Sequence, residues 1–224
     1  MSPSKLEPDM LSGIIKEVLS EIQGGDRKRR SPNSTQHGVF DSVDQAVDAA
    51  QQAHHTLVVQ PLEKRKEIIA NIRKRCAEDV HTLAEMANEE TGLGRVEDKI
   101  KKNLLVIHKT PGPEILQPIA YTGDDGLALI ERAPFGVIAS ITPCTNPTET
   151  IINNGIGMVS GGNAVTFNTH PAAKGVSAYC IDLINRASME VGGPNNIMTC
   201  VRTPTIASAQ ELMKHKGAPL VVVT

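Results

Sequence analysis

A chain of 224 residues with 25 acidic and 23 basic side chains carries a formal net charge of −2, which gives no basic footprint for nucleic acid. Its hydrophobic fraction is 40%, yet only 2% of residues are aromatic and none is Trp, so the core has to be built from Ile, Val, Leu, Met and Ala, as suits parallel strands buried under helices. No apolar run approaches the roughly 20 residues of a membrane span, and the four cysteines form no CxxC pair, so neither a disulfide scaffold nor a metal framework is suggested and a reduced, cytoplasmic setting is the simplest reading.

From the N-terminus, Leu11, Ile14, Ile15, Val18, Leu19 and Ile22 recur at three- and four-residue spacing, which predicts an amphipathic helix within residues 1–23. Residues 24–38 read as a polar linker with Arg27-Lys28-Arg29-Arg30 and Pro32. An isolated helix of this length is marginal in water, so its stripe needs a partner. The pattern over 39–110 is helical. Asp41 or Ser42 caps a helix through Ala53, and Pro61 starts one long helix carrying Ile68, Ile69, Ile72, Cys76, Val80, Leu83 and Met86 until Gly92 and Gly94. A third helix follows with Val96, Ile100 and Leu104. His54 and His55 are adjacent and cannot share a helical face, which argues against a metal site there.

Tyr121, Gly123–Gly126 and Leu127–Ile130 predict a turn with an edge strand, an edge hairpin over 119–133. Residues 134–224 then alternate strand and helix. Gly136–Thr142 is a β-branched apolar strand stopped by Pro143, with Pro147 in the first turn of the next helix. Gly161-Gly162-Asn163 suits a left-handed helix stop before the strand Ala164–Phe167, and His170-Pro171 opens another helix. After Gly192-Gly193-Pro194 come the strand Ile197–Val201, a helix from Thr205 and the strand Leu220–Val223. Four parallel strands with crossover helices make an α/β, Rossmann-like sheet preceded by a helical layer. In such sheets ligands sit outside the carboxyl ends of the strands. Gly155–Gly161 has one residue too many for GxGxxG and begins inside a helix, so Gly155 and Gly157 read as close-packing positions.

Four separated stretches, Glu90-Thr91-Gly92-Leu93-Gly94-Arg95-Val96-Glu97-Asp98-Lys99, Thr142-Pro143-Cys144-Thr145-Asn146-Pro147, Asn163–Phe167 and His170-Pro171-Ala172-Ala173-Lys174, occur in one order. They resemble the CoA-acylating branch of the aldehyde dehydrogenases, and within it the propionaldehyde and acetaldehyde dehydrogenases of bacterial microcompartments, over Val39–Thr224. The resemblance implies an oxidoreductase that takes a short-chain aldehyde, CoA and NAD to acyl-CoA and NADH through a cysteine thioester. It implies cofactor contacts from Thr142, Pro143, His170 and Pro171, coenzyme A as co-substrate and a homo-oligomer. His170 departs from the lysine that many relatives carry there, and Lys174 is either a charge at that helix start or a residue facing water.

Asn146 matches the asparagine whose amide stabilises the oxyanion, a contribution of roughly 3 kcal/mol from a fixed donor in a dry site. The local sequence equally allows it to cap the next helix. Cys76, Cys180 and Cys200 sit in apolar patterns and read as small buried residues. Cys144 lies before a helix N-terminus, where a thiolate is favoured, but the family's catalytic cysteine comes much later, so the nucleophile is expected outside this chain and the catalytic domain is expected to be absent. The N-terminal helix resembles the encapsulation peptides that dock to microcompartment shell or cargo proteins. The alternative reading is a non-catalytic docking or nucleotide-binding module.

Overall fold

The computed structural model describes residues 36–224. The stripe over Leu11–Ile22 and most of the 24–38 linker therefore lie outside the described residues. In chain order the elements are β1 (Val39–Phe40), α1 (Val43–Val58), α2 (Leu62–Glu78), α3 (Val80–Thr91), α4 (Val96–Lys109), β2 (Ile119–Gly123), β3 (Gly126–Ile130) and β4 (Val137–Ile141). They continue with α5 (Pro147–Ser160), β5 (Ala164–Asn168), α6 (Lys174–Glu190), β6 (Met198–Val201), α7 (Ile206–Met213) and β7 (Leu220–Val223). Five strands form one parallel sheet in the order β1-β6-β5-β4-β7, and β2–β3 is a separate antiparallel hairpin.

The two-residue period of a strand decides which helices each face receives. Val165 and Phe167 of β5, with Met198 and Cys200 of β6, join Ile151, Ile152 and Ile156 of α5, Ile181 and Ile184 of α6, and Ile68 and Ile72 of α2 in one core. Ala164, Val137, Ala139 and Val201 point the other way, toward Val43, Val47 and Ala50 of α1 and Leu212 of α7. Between those apolar positions the Thr166 and Thr199 hydroxyls bond each other at 2.9 Å, and Thr199 Oγ1 donates to the Ala46 carbonyl at 3.0 Å. The pair is thereby satisfied at full burial, as a buried hydroxyl has to be.

Several helix boundaries follow the expected chemistry. Ser42 Oγ accepts the Gln45 N–H, Gly92 ends α3 at φ +66°, and Gly162 turns the chain at φ +85°. Thr205 and Ser208 form a reciprocal capping box at the start of α7.

Other expectations need correction. Strand β1 is a fifth strand that the helical reading of 39–110 missed; it pairs Val39 with Cys200 and Phe40 with Val201. The preceding linker does not extend to residue 38, since the His37 N–H donates to Asp182 Oδ1 at 3.0 Å and the Gly38 carbonyl accepts from Cys200. Helix α1 runs to Val58, beyond Ala53. The long helix expected from Pro61 to Met86 breaks at Asp79, whose carboxylate accepts from Tyr179 Oη at 2.5 Å, a tertiary contact with no local Gly or Pro signal. On α4 the buried stripe is Lys99, Asn103 and Ile107, displaced by one position from the expected Val96, Ile100 and Leu104. A Cβ on Gly155 would lie 2.1 Å from Met198 Cε, so this glycine does permit close packing, whereas Gly157 faces nothing within 4 Å.

Candidate functional site

The helices after β4 and β5 cover the Phe167 face, and the helix after β6 covers the opposite one. The chain thus reverses direction in the sheet between β4 and β7, and the carboxyl ends of those two strands flank the crevice where α/β sheets bind ligands. Thr142 stands at that point. Its N–H donates to Asn168 O at 3.2 Å, while its buried hydroxyl has no hydrogen-bond partner. Across the switch point the Thr224 N–H donates to Ile141 O at 3.2 Å. A buried hydroxyl left unpaired costs about 1–3 kcal/mol, and a ribose or phosphate oxygen would relieve it, so the residues present fit a dinucleotide. Pro143 follows, and Asn168 at the end of β5 is tied to α7 through Ser208 Oγ at 2.6 Å.

His170 is exposed, and its Nδ1 accepts the Ala172 N–H at 3.1 Å. That bond assigns the lone pair to Nδ1 and, in the neutral ring, the proton to Nε2, which is then a donor for a sugar hydroxyl. Pro171 begins a short 3-10 turn over Pro171–Ala173, and Lys174 faces water. The start of α6 is closed by Glu90, whose two carboxylate oxygens accept from the Gly175 and Val176 N–H groups at 2.8 and 2.7 Å. The motif beginning at Glu90 therefore anchors one helix end to another, favourably placed at the positive end of the α6 dipole.

Asn146 occupies the N-cap position of α5 but makes no side-chain cap bond. Its Oδ1 instead accepts from Lys102 Nζ at 3.0 Å, and its Nδ2 donates to Thr145 Oγ1 at 3.3 Å. One turn back on α4, the buried Lys99 donates its Nζ to the Thr145 carbonyl at 3.3 Å. Arg95, Lys99, Lys101 and Lys102, with Asp98 and Thr145, line an open groove of about 380 Å³ beside this loop. Arg95 and Asp98 pair at 2.8 Å, which holds the Asp98 carboxyl below its ordinary range. In the first turn of α5, Glu149 is buried with Oε1 unpaired and Oε2 accepting from Thr148 Oγ1 at 3.2 Å.

Three of the four cysteines, Cys76, Cys180 and Cys200, are buried. Burial pushes the Cys76 and Cys200 thiols up to about 12. Burial, reinforced by Cys76 and Glu149, raises Cys180 well above the usual thiol value. Cys144 is half-buried and packs with Met86 on Ala87, Ala173 and Val176. Sequence reasoning missed Lys102 and Glu149, and it included Lys99 only as the last residue of the Glu90 motif, with no role. The only local signal for the two lysines is their three-residue spacing on a helix next to the Thr145–Asn146 loop in space.

The sequence profile of the aldehyde dehydrogenase family matches residues 32–224. The chain belongs to this family. Among its aldehyde dehydrogenase relatives, an acetaldehyde dehydrogenase (acetylating) of Bilophila wadsworthia is 50% identical over 187 residues, covering 84% of this chain and 38% of the relative. A propanal dehydrogenase (CoA-propanoylating) of Salmonella typhimurium is 43% identical over 225 residues, covering 100% of this chain and 47% of the relative. The solved propionaldehyde dehydrogenase from the Clostridium phytofermentans fucose utilisation bacterial microcompartment superposes with a TM-score of 0.82 at 50% identity, covering 84% of this chain and 43% of that one. The chain thus spans less than half the length of the curated relatives it matches. No helix among the described residues is long and apolar enough to cross a membrane.

Proposed function

We propose that this chain supplies the nucleotide-binding portion of a CoA-acylating aldehyde dehydrogenase, which converts a short-chain aldehyde, CoA and NAD to acyl-CoA and NADH. The observation that carries the reading is the buried, unpaired Thr142 hydroxyl at the switch point between β4 and β7. NAD supplies the hydride acceptor. Thr142 and Pro143 bind it at the end of β4, and His170 and Pro171 at the end of β5. Asn146 points its amide at the oxyanion that forms when a cysteine adds to the aldehyde carbonyl; the cysteine is not one of the four in this chain. NAD at 100 times its Kd should raise the melting temperature of the chain by roughly 5–11 °C, since it adds about 2.7 kcal/mol. Thr142→Val should remove most of that gain. The absence of any shift with the unaltered chain would overturn the reading.

The exposed hairpin supports a homo-oligomer. Ile119, Tyr121, Leu127, Leu129 and Ile130 are all open to solvent on β2 and β3, and contiguous exposed apolar residues of this kind mark interaction sites. The apolar stripe within residues 1–22, together with the microcompartment origin of the fucose-pathway relative, supports docking to shell or cargo proteins inside a bacterial microcompartment. Deleting residues 1–22 is expected to abolish co-sedimentation with shell proteins and to leave NAD stabilisation unchanged. Full co-sedimentation of the shortened chain would remove the targeting role, and with it the second reading of the chain as a docking module alone.

A further inference from the structure

We propose that Lys102 is a positioning residue that fixes which end of the Asn146 amide faces the chemistry. A lysine ammonium is a donor with no acceptor capacity. Set 3.0 Å from Asn146, it accepts only one of the two amide orientations, the one in which Oδ1 faces Nζ. The reverse would oppose two sets of donors. The carboxamide nitrogen is therefore turned away from α4, with one hydrogen on Thr145 Oγ1 and the other free for an external acceptor. A positive charge on the oxygen also polarises the amide and strengthens its N–H as a donor.

The supporting arm is long in sequence and short in space. Lys102 lies 44 residues before Asn146, and Lys99, three positions earlier on the same helix face, holds the adjoining Thr145 carbonyl. Two lysines of α4 thus grip successive residues of the loop, one at the backbone and one at the side chain. Asn146 cannot be held by its own helix, because it makes no cap bond there. Lys102 is exposed, so its removal leaves the core untouched.

This inference rests on the reading of Asn146 as the oxyanion donor, but its test is independent of cofactor binding. In the ¹⁵N-labelled 224-residue chain, the Asn146 side-chain amide is identified by its loss in Asn146→Asp. Lys102→Met should move both Asn146 amide hydrogen resonances and speed their exchange with water several-fold. Lys102→Arg should return them toward their original positions, and Lys101→Met, from the same groove, should leave them in place. Unchanged Asn146 signals in Lys102→Met, or an equal change in Lys101→Met, would overturn the assignment. Loss of NAD stabilisation with these signals behaving as expected would instead count against the nucleotide-binding reading alone.

Discussion

Replacing Gly38 by Ala is expected to destabilise the fold by about 4 kcal/mol. Two costs combine. Gly38 adopts φ +81°, where an L side chain costs roughly 1–2 kcal/mol. An added Cβ would also lie 2.3 Å from the Met198 carbonyl oxygen, 2.4 Å from Asn185 Nδ2 and 2.9 Å from an Ile181 methyl, and overpacking of this kind costs about 1–3 kcal/mol. The neighbours cannot yield cheaply. Met198 O belongs to β6, and the fully buried Asn185 uses Nδ2 to donate to that oxygen at 2.7 Å and to Ile181 O at 3.0 Å. For a domain of this size each kcal/mol shifts Tm by roughly 2–4 °C, so thermal unfolding should fall by about 12 °C. The cheapest relief is release of β1. Hydrogen exchange should then show lost protection at the Cys200 N–H, which donates to Gly38 O at 2.8 Å, and at the Arg202 N–H, which donates to Phe40 O at 2.7 Å. A loss of less than about 1 kcal/mol would show that neither the backbone conformation nor the contact constrains this position.

Phe167→Ala should cost as much, about 4 kcal/mol, the middle of the range for deleting a buried phenyl group. The three phenylalanines of the chain are not equivalent. Phe167 is completely buried on β5 in the middle of the sheet, facing the α5–α6 core, whereas Phe135 is 64% exposed. In a core otherwise made of Ile, Val, Leu, Ala, Cys and Met198, Phe167 is the largest fully buried side chain among the described residues, and closely packed neighbours collapse only in part into the void it leaves. Urea unfolding of Phe167→Ala and Phe135→Ala separates the two cases; similar midpoints would contradict the placement of the core.

Where structure is written locally, the residues could be read. Pro147 at the first turn of α5, Gly162 at its exit, the Thr205 cap and the Leu220–Val223 run each place their element through dihedral limits or hydrogen bonding that one or two residues determine. Elements created by distant partners were not legible. Val39–Phe40 is too short to carry a strand period, and only its pairing with Cys200 and Val201 makes it a strand. At the break, Asp79 bonds Tyr179, 100 residues away. The same division holds at the site. Thr142, Pro143, His170 and Pro171 lie on strand ends that the pattern predicts. Lys99 and Lys102, by contrast, become relevant only because α4 packs beside α5. A buried lysine and asparagine on α4 run against the expectation of an apolar stripe, and such conflicts between local rule and structure concentrate where a loop must be held for a purpose.

Strand β1 also sets an order of events during synthesis. Val39 leaves the ribosome roughly 160 residues before its partner Cys200, and α1 emerges well ahead of the β4–β6 faces against which it packs. The first strand of the sheet to be made therefore waits longest for its partner, and until β4 and β5 have emerged α1 has no sheet face to cover. A chaperone that samples growing chains would find a target in residues 43–58, although in the finished fold those residues cover one side of the sheet.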